Sequence, residues 1–231
     1  MKNIFSSLVD FLFPKKCVAC GLYRSDFLCN TCRSTLKKYK PECYVSRKPS
    51  SNWVIKKRYK SKTNLEKAFY FYHYNSILFK LISYAKFAKY INLIDVLFEL
   101  LIDADEFHKI NFDFIDLITS VPVSKTRLAE RGFNHAEILA TNIARYVKKP
   151  YKFLCEKIID TKDQIELSRE ERLKNLKDAF VCISEIDLNN LNILIVDDVI
   201  TTGTTVENVA ESILKKYPLA KIYALSIARG D

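Results

Sequence analysis

Two adjacent carboxylates, Asp197 and Asp198, close the apolar run 193–196, and the chain then reads Val-Ile-Thr-Thr-Gly-Thr-Thr through residue 205. A helix beginning at about Thr204 would turn its unpaired backbone amides and the positive end of its dipole toward that loop, which makes a seat for an anion. The hydroxyls of Thr201, Thr202, Thr204 and Thr205 add donors, and Gly203 allows a backbone turn that a side chain would penalise. A phosphate monoester fits such a seat. The two acids would repel it, so they must address something uncharged, and hydroxyls suit them. A ribose 5-phosphate satisfies both halves, with its phosphate in the threonine loop, its 2′ and 3′ hydroxyls on the acids, and Mg²⁺ helping to neutralise the charge. The plainer alternative is a helix cap, which does not explain strand, acid pair and hydroxyl loop in succession.

A second constellation lies near the N-terminus. Cys17, Cys20, Cys29 and Cys32 form C-x2-C-x8-C-x2-C, and two such knuckles supply four thiolates at the corners of a tetrahedron, the ligand set of a structural Zn²⁺. The middle spacing is short and leaves room only for a tight turn over 21–27. Cys43, Cys155 and Cys182 have no partner at ligand spacing and read as ordinary buried or surface thiols. Four of seven cysteines at metal spacing point away from a secreted disulfide scaffold.

The elements that must position these residues are legible mainly in the second half. Residues 114–121 suit a strand, 132–147 a helix with Ala136, Leu139, Ala140, Ile143 and Val147 on one face, 153–159 and 179–183 strands, 193–197 a buried strand, 204–217 a helix, and 221–228 a last strand. Strands separated by helical crossovers imply a mostly parallel sheet covered on both faces, which binds ligands at the carboxyl ends of its strands. Residues 65–110 repeat apolar side chains at three and four and read as flanking helices, although the aromatics of Lys67–Tyr74 alternate as in a strand. After the last strand only Arg229, Gly230 and Asp231 follow, so any cover over the site is expected from residues 40–110.

The formal charge of +10 is local. Residues 33–67 hold twelve Lys or Arg against Glu42 and Glu66, and elsewhere 25 basic residues meet 25 acidic ones. Lys37, Lys38, Lys56, Lys57, Arg58 and Lys60 are interleaved there with aromatics that include Trp53 and Tyr59. Cations track phosphates and aromatic faces stack unpaired bases, so the segment suits single-stranded nucleic acid. The opening Met1–Pro14 stretch is too short to cross a bilayer and is interrupted by Asp10, so no transmembrane segment is expected. Its apolar residues share a helical face that packs on the protein or, alternatively, lies on a membrane surface.

The 193–205 stretch resembles the ribose-phosphate signature of the type I phosphoribosyltransferases. That resemblance implies that Asp197 and Asp198 bind the ribose of phosphoribosyl pyrophosphate, with Mg²⁺ accompanying that ligand, and that Thr201, Thr202, Gly203, Thr204 and Thr205 hold its 5-phosphate. The purine-salvage enzymes place an acid where Thr201 stands, so the loop looks more like the orotate-type variant. The stretches 120–137 and 161–180, with the N-terminal Leu-Phe-Pro-Lys-Lys-Cys-Val-Ala-Cys-Gly, resemble the competence-associated ComF family.

By that resemblance Ser120, Val121 and Ser124 form the turn that meets the diphosphate, with Lys125 or Arg131 as counter-charge. Residues 160–177 form a lid, with Gln164, Arg169 and Arg172 as contacts. His135 is expected to pack at a helix start, with the diphosphate site as the alternative.

The implied fold is α/β, a type I phosphoribosyltransferase-like mostly parallel sheet with helices on both faces and a small four-cysteine zinc module. The implied organisation is 1–40 for the N-terminal helix and zinc module, 41–110 for the basic aromatic linker and flanking helices, and 111–231 for the core. The implied role is DNA uptake in natural transformation, in the cytoplasm or at its membrane surface, by a protein that binds single-stranded DNA and phosphoribosyl pyrophosphate. Competence-system helicase or recombination proteins are candidate partners. The alternative is an active phosphoribosyltransferase joining ribose 5-phosphate to a nitrogenous base.

Overall fold

The computed structural model describes residues 15–24, 26–38, 63–87, 90–159 and 179–230. The chain opens with a two-residue ribbon, β1 (Lys15–Lys16) against β2 (Tyr23–Arg24), followed by the short helix α1 (Asn30–Ser34). Then come β3 (Lys67–His73), α2 (Ser76–Ala85), α3 (Leu93–Ile102), α4 (Asp105–His108), β4 (Leu117–Ser120), α5 (Lys125–Arg131) and α6 (His135–Tyr146). A second ribbon, β5 (Cys155–Lys157) against β6 (Phe180–Cys182), precedes β7 (Asn192–Ile200), α7 (Thr204–Lys216) and β8 (Lys221–Arg229).

Four strands make one all-parallel sheet in the order β3-β8-β7-β4. Its strands are buried on both faces, which is why they read as continuous apolar runs: Ile193, Leu194, Ile195 and Val196 are all fully buried. The two-residue period divides that run between two cores. Leu194 and Val196 join Leu78, Leu81, Leu97, Leu100, Leu139 and Ile143 from α2, α3 and α6. On the other face Ile193 and Ile195 join Val206, Val209, Ala210 and Ile213 from α7, with Cys155, Phe180 and Cys182 of the small ribbon.

Two elements differ from the sequence reading. Residues 67–73 are not helical but form the edge strand β3, paired in register with Lys67↔Tyr223 through His73↔Arg229. The alternating aromatics Phe69, Tyr70, Phe71 and Tyr72 are all buried there, so strand periodicity wins over the helical spacing that follows. The strand expected at 193–197 runs on to Ile200, with Asp197 opposite Ser226 and Val199 opposite Ala228. The acid pair therefore sits within the sheet rather than just beyond it.

The cysteine module docks on this body. Leu28 and Leu36 bury into the first core, Arg33 donates to Glu99 at 2.9 Å and to Asp103, and Lys38 bridges antiparallel to Tyr72. Asn75 caps α2 by accepting from the amides of Ile77 and Leu78, directly after the carboxyl end of β3. The far end of α2 delivers Lys86 to β7. This helix thus reaches the carboxyl edge of the sheet, where the acids lie.

Candidate functional site

At that edge Asp198 is almost fully buried, and its Oδ2 stands 2.9 Å from both His135 Nε2 and Lys86 Nζ. Its Oδ1 accepts from the Val199 amide at 2.7 Å. Burial by itself would raise the Asp198 carboxyl, but the close approach of His135 and Lys86 outweighs it and holds the group below the usual carboxylate range. Asp197 is half-buried and accepts the Asp198 amide at 2.8 Å. Burial, reinforced by the charge on Asp198, pushes it well above the usual range. The two acids are therefore unlike: one is a fixed anion with cationic company, the other favours its neutral form.

His135 is the first residue of α6, and its placement follows from Asn134. That side chain accepts the Ala136 amide at 3.1 Å and donates to the Val121 carbonyl at 3.0 Å. A single buried asparagine thus ties the helix start to the turn after β4. Ser120 and Val121 are buried in that turn, Ser120 Oγ lying 3.0 Å from Tyr151 Oη. Ser124 caps α5 by accepting the Arg127 amide, and Lys125 is exposed, 4.0 Å from Glu156. Arg131 closes α5 before Gly132, whose φ of 79° ends the helix in a left-handed turn. Burial and the neighbouring Arg127 lower the Arg131 guanidinium, while the charge of Asp198 pulls the other way.

Across the edge, Thr201, Thr202 and Thr205 are exposed and Gly203, at φ 78°, opens α7. The Thr202 and Thr204 hydroxyls lie 2.9 Å apart. The N-cap residue Gly203 has no side chain to offer, the Thr204 amide donates to Thr202 Oγ1 at 3.4 Å, and the helix is thirteen residues long, so its dipole end faces the threonine loop. Beside it Glu207 accepts from Thr63 Oγ1 and from the Asn64 amide at 2.8 Å. A small recess of about 30 Å³ lies there between Thr63, Tyr70, Gly203, Glu207 and Arg229.

The four cysteines converge as their spacing predicts. Their sulfurs all lie within 4.8 Å of one another, and Cys20 and Cys29 are 4.0 Å apart. A tetrahedral Zn–S bond of about 2.3 Å requires sulfurs about 3.8 Å apart, so four thiolates fit one ion here. Cys17 is buried, which works to raise its thiol, yet backbone amides led by that of Cys29, 3.5 Å from the sulfur, bring it down to about 6. His135, Asp197 and Asp198 also offer ligand atoms within 4.8 Å. A divalent ion on that cluster would share Asp198 with the Lys86 ammonium, and Asp197 is the acid left for it.

Lys37 and Lys38 are exposed, and Lys38 Nζ donates to the Asp103 carbonyl at 3.3 Å with Asp105 at 4.0 Å. Lys16 stands 4.7 Å over the exposed Tyr23 ring, a basic aromatic pair outside the segment flagged by composition. Trp53, Lys56, Lys57, Arg58, Tyr59, Lys60, Gln164, Arg169 and Arg172 lie outside the described residues, as do residues 1–14 and Cys43. Sequence reasoning missed Lys86, which sits among several similar lysines, and the pairing of Cys155 with Cys182. For Asn134, the helix-start pattern was a usable signal.

Residues 130–230 match the phosphoribosyl transferase domain family. Competence protein F of Haemophilus influenzae is 27% identical over 208 residues, covering 87% of this chain and 84% of that protein. Competence protein ComFC of Bacillus subtilis is 27% identical over 214 residues, 88% of this chain and 84% of that one. The DNA utilization protein YhgH of Escherichia coli K12 is 35% identical over 103 residues, 43% of this chain and 44% of its own length. Among the described residues no helix is long and apolar enough to cross a membrane.

Proposed function

We propose, from the premise that this chain belongs to the ComF family of phosphoribosyltransferase-like proteins, that it serves DNA uptake by handling single-stranded DNA and by binding phosphoribosyl pyrophosphate or a related ribose phosphate. The supporting observation is the succession at the end of β7: an acid pair inside a parallel strand, then a loop of hydroxyls leading into the amino end of α7. Parallel sheets bind ligands at this edge. In this reading the 5-phosphate rests on the α7 amides and the hydroxyls of Thr201, Thr202, Thr204 and Thr205. Asp197 meets the ribose hydroxyls, and Asp198 fixes the edge through His135 and Lys86. Mg²⁺ would arrive with the diphosphate and supply charge neutralisation, and Ser120, Val121, Ser124, Lys125 and Arg131 line the turn nearest it. Zn²⁺ on the four cysteines is structural.

The test is calorimetric titration with phosphoribosyl pyrophosphate. Asp197→Asn is expected to weaken binding on the order of tenfold, because ribose hydroxyls donating to Asp197 would draw it to its ionised form in the complex, a gain in hydrogen-bond strength that the amide cannot reproduce. Unchanged affinity would remove the acid pair from the reading. Pyrophosphate release across a panel of nitrogenous bases would make the site that of a transferase, and release with none would leave it a binding site.

A further inference from the structure

Cys155 and Cys182 are direct partners across the β5–β6 ribbon. The flanking bonds fix the kind of pair: the Ile183 amide donates to the Leu154 carbonyl at 2.9 Å, and the Ile158 amide to the Ala179 carbonyl at 2.9 Å. Those are the bonds on either side of non-hydrogen-bonded positions, so Cys155 and Cys182 occupy the close kind of cross-strand pair. Such positions bring Cα atoms to about 4.5 Å, inside the window of roughly 4.4–6.8 Å that a disulfide spans. Both thiols are free and buried.

The surroundings are asymmetric. Cys155 lies against the Ser212 hydroxyl at 3.4 Å and is 1% exposed, whereas Cys182 is 8% exposed and faces the α7 end that carries Lys216. Lys216 is itself anchored, its ammonium donating to the Ser184 carbonyl at 2.6 Å. The neighbouring Cys155 thiol, the Ser184 backbone and the Lys216 charge bring Cys182 down to about 6, while Cys182 and burial push Cys155 up. A thiolate with a protonated thiol beside it is the arrangement that thiol–disulfide exchange uses.

We propose that Cys155 and Cys182 are a redox-active dithiol, closed to an intramolecular disulfide by a small disulfide and reopened by a small thiol. Cys182 thiolate attacks one sulfur of the incoming disulfide, whose other half leaves as a thiolate. Cys155 then gives up its proton to that leaving group and attacks Cys182, so that the second half leaves. Two thiols of the protein are oxidised and one disulfide is reduced to two thiols. Because the pair already occupies disulfide-compatible positions, closure constrains mainly the unfolded chain, and the oxidised protein is expected to melt higher than the reduced one.

The experiment equilibrates the full-length, zinc-loaded chain in mixtures of 2-mercaptoethanol and its disulfide, quenches with acid, alkylates and maps the peptides. The expected result is a peptide joining Cys155 to Cys182 whose share rises with the oxidant ratio and falls when thiol is restored. Cys155→Ser is expected to trap a mixed disulfide at Cys182, formed on the order of tenfold faster than at Cys155 in Cys182→Ser, since exchange requires the thiolate. Both thiols remaining open to alkylation across the whole range would overturn the proposal. So would separate mixed disulfides on each with no internal bond. The wild-type arm decides this even where a variant fails to fold.

Discussion

The ring of His135 and the carboxylate of Asp198 meet at 2.9 Å, and this contact joins the start of α6 to the acid end of β7. Lys86 reaches the same oxygen from the end of α2. Three elements distant in sequence thus share one buried anion, and Asp198 acquires a structural duty that Asp197 lacks.

The first prediction follows from that division. The folded value of Asp198 lies below the ordinary value of about 3.9, so its contribution to stability is complete above about pH 4 and is lost as pH falls further. Asp197 has the opposite sign: its folded value lies above the ordinary one, so ionising it costs stability as pH rises past about 4. Asp198→Asn is expected to lower stability at pH 7 by about 2–3 kcal/mol, less than the ~3–5 for breaking a fully buried pair because Lys86 is partly exposed. Asp197→Asn is expected to leave stability unchanged or raised, and the gap between the variants should narrow toward pH 3. Urea titrations at both pH values check this, and equal losses in both variants would contradict it.

Metal removal is the second. With a strong chelator the four thiols lose their common ion, and the module that buries Leu28 and Leu36 against the body should come loose, lowering the melting temperature and raising the titratable thiol count. Readdition of Zn²⁺ should reverse both. Arg33→Ala should cost only about 0.5–1 kcal/mol, because Glu99 and Asp103 are more than half exposed. A chelator-insensitive melt would argue that the module does not need a metal to fold.

Gly230 offers a third. A Cβ there would stand 2.9 Å from Thr201 Cγ2, closer than such atoms approach, while the Gly230 amide still donates to the Ile200 carbonyl at 3.0 Å. Thr201 must yield because its side chain is the softer partner. Gly230→Ala is therefore expected to weaken phosphoribosyl pyrophosphate or inorganic phosphate binding severalfold while costing roughly 1 kcal/mol or less of stability. Calorimetry paired with thermal melting separates the two, and unchanged affinity would show that the threonine loop tolerates displacement.

The parallel sheet and the acid pair were legible because both depend on local sequence. A fully buried parallel strand must read as an apolar run, as Ile193–Val196 does, and the acids, threonines and Gly203 that follow it mark the passage from strand to helix. The cysteine spacing was equally local. What escaped was contact between segments far apart. Nothing around Lys86 distinguishes it from neighbouring lysines, and Cys155 and Cys182 become partners only through the register of two short strands. The edge strand β3 was obscured for another reason: its alternating aromatics precede two apolar helices, and a window spanning both blurs the change of period at Tyr74 and Asn75.

Single-stranded DNA binding gives the last prediction. The surplus of positive charge lies within residues 33–67, so contact there should neutralise backbone phosphates and release counterions. Binding should weaken steeply with salt, by about 0.7 in log affinity per log unit of salt for each phosphate engaged. Replacing Lys56, Lys57 and Arg58 together by Gln should reduce that slope by about 2, whereas replacing Trp53 and Tyr59 by Leu should lower affinity with little change in slope, since stacking is not ionic. Fluorescence anisotropy at several salt concentrations measures both quantities. A slope that persists in the triple variant would move the contact to other cations, of which Lys16 beside Tyr23 and the exposed Lys37 and Lys38 are the described candidates.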